Sequence, residues 1–226
     1  MSRSNHLSTR NGFTLIELMV SVSILLIISV SVAGDITRIK HQEELQSSAR
    51  QLASALRDLQ ARSLAASGIK TCTDSGNVIA ACETGTSACT GGCGTLIPPF
   101  SNGMTIATNA TSVLMFAEVE PTRNDRRRAA SGEDLGRQAF LQANANSATV
   151  TVQSMTTNAG GVPSAVVTFE RQSGTMRIDA CGTPAPYTPA CSGAEPLTLE
   201  IVLRHARLTA TRTVRLNTTT GKISLE

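Results

Sequence analysis

The hydrophobic positions of this chain change period twice along its length. From Phe13 to Gly34 nearly every residue is apolar, and the only ionisable side chain is Glu17. At about 1.5 Å per residue, a helix over this stretch spans roughly 33 Å, enough for a bilayer core. Beyond it the apolar residues thin to a stripe. Leu45, Ala49, Leu52, Leu56, Leu59 and Ala66 recur at helical spacing, with Arg38, Glu43, Glu44, Arg50, Arg57, Asp58 and Arg62 on the other faces. The spacing predicts one helix from about residue 13 to 67, closed by Gly68 as its C-terminal cap.

After residue 103 the period shortens to that of strands. Short Val-, Ile- and Thr-rich runs are predicted at 104–108, 112–119, 148–154, 165–171, 175–180 and 197–206, followed by "LTATRTVRLN" and a final "KISLE". Gly174 and Gly221 fall where hairpin turns are expected. The fold class that follows is α+β, a long N-terminal helix laid on an antiparallel sheet body. Residues 69–103 are rich in Gly, Thr and Cys without clear periodicity, a connection long enough to need stapling.

Composition adds two constraints. Net charge is only +3, with Arg3 and Arg10 ahead of the apolar run, so the body is near neutral and a general affinity for nucleic acid is not implied. The six cysteines are Cys72, Cys82, Cys89, Cys93, Cys181 and Cys191. They lack paired metal-site spacing, and His41 and His205 are distant in sequence, so disulfides in an exported body are expected. Cys181 and Cys191 flank one Pro-rich loop and are expected partners; the pairing of the other four is open among three alternatives.

Glu17 is the unusual feature. A carboxylate within an apolar span costs about 2.5 to 3.5 kcal/mol on insertion scales, and no Lys, Arg or His lies between Phe13 and Gly34 to offset it. Cutting the chain after Gly12 would free an α-amine on Phe13, one helical turn from Glu17. That amine could pair with Glu17 of its own chain or of a neighbouring copy. Arg3 and Arg10 orient the segment with its N-terminus cytoplasmic and its body translocated.

The stretch "GFTLIELMVSVSILLI" resembles the cleavage and methylation motif of type IV pilins and type II secretion pseudopilins. The resemblance implies a leader, residues 1–12, removed by an inner-membrane prepilin peptidase between Gly12 and Phe13. Phe13 becomes the N-methylated terminus, and Glu17 takes the place of the glutamate that pairs with the terminal amine of an adjacent subunit during filament assembly. Residues 13–34 become the transmembrane and assembly helix, 35–68 its amphipathic continuation, and 69–226 a periplasmic or extracellular β-rich body. The implied partners are other pilin or pseudopilin subunits, the prepilin peptidase, the inner-membrane assembly platform and membrane lipid. The implied location is the inner membrane, single-pass, and then a pseudopilus or surface pilus. Many pilins carry Pro where this chain has Gly34, so a helix kink there is permitted without being required.

Further along, "SSARQLASALRDLQARSLAASG", "SVLMFAEVEPTRNDRRRAASGEDL" and the terminal "VRLNTTTGKISLE" are similar to the GspH/FimT group of minor pilins and pseudopilins. Some of that group are DNA receptors that use basic residues near the C-terminus. The matching positions here are Arg204, Arg207, Arg212, Arg215 and Lys222, but no aromatics interleave to stack on bases. "RNDRRR" at 123–128 is the densest charge run and reads as a solvated loop. Nothing around His41 or His205 forms a recognisable catalytic pattern, so neither an enzyme nor a cofactor is expected.

Overall fold

A computed structural model describes residues 14–73, 79–82, 93–119, 134–139, 150–181 and 196–226. In chain order the elements are helix α1 (Leu15–Leu64) and strands β1 (Ile69–Thr73), β2 (Ile79–Ala81), β3 (Thr95–Ile97), β4 (Ser101–Ala107), β5 (Ser112–Glu118), β6 (Asp134–Ala139), β7 (Val150–Thr157), β8 (Gly160–Gly161), β9 (Ser164–Glu170), β10 (Met176–Cys181), β11 (Thr198–His205), β12 (Thr211–Asn217) and β13 (Lys222–Leu225). The α+β class is as the sequence pattern predicts. The chain divides into two units, Met1–Lys40 and His41–Glu226.

The first unit contributes the start of α1. Helical backbone continues through Gly34 without a break. Every side chain from Thr14 to Val30 is exposed, Leu15 at 79% and Val30 at 74%. Among the described residues no helix is long and apolar enough to cross a membrane.

In the second unit the amphipathic stripe does what its spacing predicts. Leu45, Ala49, Leu52, Leu56 and Leu59 are buried, and they share one core with residues from two five-stranded antiparallel sheets. One sheet has the order β10-β9-β4-β5-β6 and supplies Met104, Ile106, Val167, Phe169 and Ile178. The other has the order β13-β12-β11-β7-β8 and supplies Val152, Leu199, Ile201, Leu203, Val214 and Leu216. The turn after β4 links the two sheets, because the Asn109 N–H donates to the Val152 carbonyl and the Val152 N–H to the Ala110 carbonyl.

The stripe ends at Ser63 rather than at Ala66. Ser63 is buried, donates to the Phe169 carbonyl and accepts from Asn102 Nδ2 at 2.9 Å. The helix stops at Leu64 because Ala66 turns left-handed, with φ of 47°. The Ser67 N–H then reaches the Arg62 carbonyl and the Ala66 N–H the Ser63 carbonyl, a Schellman cap. The cap therefore sits on Ala66, and Gly68 is not used for it. Gly174 and Gly221 do take left-handed conformations in the hairpin turns where the sequence predicts them.

Two stretches without period-2 patterning also form strands. Residues 69–103 contain a three-stranded sheet of order β2-β1-β3, and β6 pairs with β5 where a polar loop is expected. β2 and β3 are only three residues long, too short to show alternation, and pairing rather than pattern defines these strands. The Cys82–Cys93 disulfide joins the end of β2 to the start of β3. Cys72 is disulfide-bonded as well, and none of the described cysteines is free. Cys89 and Cys191 lie outside the described residues, as does "RNDRRR"; Cys181 ends β10.

Candidate functional site

Gly12 and Phe13, at which the sequence places cleavage and methylation, lie outside the described residues. Glu17 is in the first turn of α1. The apolar run offers it no cation, but the structure supplies a neutral neighbour. The Thr14 hydroxyl lies 3.4 Å from Glu17 Oε2, to which it donates, and accepts the Glu17 N–H at 3.3 Å. Thr14 is thus the N-cap and Glu17 its third-position acid, the pattern that "TLIE" spells as a capping box. A carboxylate there also faces the positive end of the helix dipole. Both effects fix where the carboxylate sits while leaving its charge without a counter-ion on this segment.

Three described hydroxyls on the same segment are satisfied within it. Ser21, Ser23 and Ser29 donate to the carbonyls of Glu17, Met19 and Leu25, each four residues earlier, at 2.7 to 2.8 Å. Such back-bonding removes the need for water at these groups. What remains is a helix that is apolar on every side and exposed on every side. An exposed apolar surface of this extent marks an interaction site.

The five basic residues near the C-terminus do not form one patch. In β11 the core-facing positions are Ile201, Leu203 and His205, so Arg204 points to the outer face. In β12 Val214 and Leu216 face the core, which places Arg215 outside and Arg212 on the opposite side of the strand. Lys222 precedes buried Ile223 and shares the outer face with Arg204 and Arg215. Arg215 is 3.4 Å from Glu200, Arg204 donates to the Leu208 carbonyl, and Arg207 lies in the turn beyond β11. Arg212 is therefore separated by the pleat from Arg204, Arg215 and Lys222.

The structure also assembles residues that sequence reasoning left apart. His41 and Glu44 lie one turn apart on α1, and His205 closes β11. Glu44 Oε2 is 3.0 Å from His205 Nε2 and 3.3 Å from His41 Nδ1, and the two imidazoles stack with centroids 4.5 Å apart. His205 is fully buried, and the Arg207 N–H donates to its Nδ1 at 3.2 Å. The local signals were present: His41 and Glu44 lie just ahead of Leu45, the first residue of the apolar stripe, and His205 has the inward parity of Leu203. What brings them together is a contact across 161 residues of chain.

Residues 7–33 match the family model described as the prokaryotic N-terminal methylation motif. This match to the start of the chain supports the type IV pilin and pseudopilin family, whose members are processed by prepilin peptidase and assemble with other pilin subunits. No curated protein and no solved structure matches the chain.

Proposed function

We propose that this protein is a filament subunit of a type IV pilus or a type II secretion pseudopilus, of the minor, GspH/FimT-like kind. Prepilin peptidase cuts between Gly12 and Phe13, and Phe13 is methylated. Residues 13–34 hold the protein in the inner membrane, with the body on the periplasmic side. On assembly the same helix exchanges lipid for neighbouring helices. The contact is head-to-tail, which generates an open helical array.

The observation that carries this reading is Glu17, held by Thr14 in the first turn of a helix exposed and apolar on all sides within the matched motif. A carboxylate in that setting accepts only an arrangement that brings a cation beside it, and cleavage creates one, the Phe13 amine of a neighbouring subunit. Glu17 then sets register while the apolar side chains supply the cohesion.

The test is Glu17→Ala. Membrane insertion should be unchanged or improved, because the substitution removes a cost of about 2.5 to 3.5 kcal/mol at the span centre and less near its end. Incorporation into sheared filaments, measured by immunoblot against the membrane pool, should fall at least tenfold. Wild-type incorporation of the variant would refute the role assigned to Glu17.

A further inference from the structure

We propose that His41, Glu44 and His205 bind a divalent cation of the zinc and copper class, which clamps α1 to β11. The three donor atoms, His41 Nδ1, Glu44 Oε2 and His205 Nε2, lie within 4.8 Å of one another. Metal bonds of about 2.0 to 2.2 Å in a tetrahedral site place ligand atoms roughly 3.3 Å apart. Two of the three separations, 3.0 Å and 3.3 Å, already have that value. The third requires one imidazole to turn out of the stack. His41 is the ring able to do so, since its side chain is 21% exposed whereas His205 is enclosed.

The Arg207 N–H donates to His205 Nδ1, so the neutral imidazole carries its proton on Nε2 and donates it to Glu44. His41 Nδ1 donates to the same oxygen. A cation entering between these atoms takes the lone pairs of Nε2 of His205 and Nδ1 of His41. Each imidazole then keeps its one proton on its other nitrogen. For His205 that other nitrogen is Nδ1, so the Arg207 N–H gives up its bond. Arg207 is exposed in the turn that follows β11, where its N–H can turn to water. Water completes the coordination on the exposed side of His41.

The donor chemistry selects the ion. Two imidazole nitrogens and one carboxylate oxygen suit zinc, copper or nickel, whereas magnesium and calcium prefer sets made of oxygen alone. The competing account is a hydrogen-bonded polar cluster that closes one end of the core and binds nothing. The two make different forecasts. Full-length protein in detergent, stripped with a chelator, is titrated calorimetrically with zinc chloride and separately with magnesium chloride. The wild type should take up one zinc ion per chain and no magnesium, and both His41→Gln and Glu44→Gln should weaken zinc binding at least tenfold. His41→Gln alters the more exposed partner and keeps the test readable if Glu44→Gln does not fold. Absence of zinc uptake, or a loss below tenfold in a folded variant, overturns the site in favour of the polar cluster.

Discussion

Replacing Gly103 with alanine puts a methyl group where the Phe116 ring already lies. Gly103 and Phe116 are cross-strand partners in β4 and β5, and β9 flanks β4 on its other side. A Cβ built at residue 103 would sit 2.3 Å from Phe116 Cζ, 2.7 Å from Cε1 and 2.9 Å from Cε2. Carbon atoms ordinarily meet at about 3.5 to 4.0 Å, so the ring would have to retreat by more than about 1 Å. It has nowhere to go, because Phe116 is fully buried. Overpacking of this kind costs about 1 to 3 kcal/mol. Alanine recovers about 0.5 to 1 kcal/mol of the entropy that glycine loses in a strand. The net expectation is a destabilisation of up to about 2.5 kcal/mol, which lowers Tm by up to roughly 10 °C in a domain of this size. Circular dichroism melts of the full chain in detergent would read it. The sharper measurement is a double-mutant cycle with Phe116→Leu, where the shorter side chain leaves room for the new methyl. Gly103→Ala should then cost less in the Phe116→Leu background than in the wild type, by at least about 0.5 kcal/mol. Equal costs in the two backgrounds would show that the ring is not what excludes a side chain at position 103.

Three further expectations come from other parts of the molecule. Ala66→Gly should raise stability by about 0.5 to 1 kcal/mol in the same melts, since glycine takes the left-handed cap conformation without the strain an alanine bears. Ser63→Ala should lower stability by about 1 to 3 kcal/mol, because it strips a partner from buried Asn102 Nδ2 and from the Phe169 carbonyl. Gly12→Glu should block removal of the leader, read by mass spectrometry as a chain that still begins at Met1 in cells containing prepilin peptidase.

The relation between pattern and structure is clearest in α1. Leu45 through Leu59 are buried as their spacing predicts, because one helical stripe has only one way to leave water when a sheet body is attached. The end of the same helix was not legible. Gly68 has the better propensity for a cap, yet Ala66 takes the left-handed turn, and it does so where the Gln172 N–H reaches the Ser63 carbonyl from the β9–β10 hairpin. A tertiary hydrogen bond outweighed a local preference. The apolar segment tells the opposite story: the role proposed for it rests on Thr14, Glu17 and the absence of Lys, Arg or His from Phe13 to Gly34, all contiguous in the chain.

What the chain determined unaided is therefore what depends on neighbours in sequence: an all-round apolar helix with one capped carboxylate, a stripe with a buried face, and strands punctuated by Gly174 and Gly221. What only tertiary structure decided is what depends on residues far apart meeting. It selected Cys82–Cys93 among the open pairings, set Arg212 on the other side of the pleat from Arg204 and Arg215, and brought His205 to Glu44. The physical reason is common to all of these. Periodicity encodes which side of an element is buried, but it carries no information about which distant element will cover it.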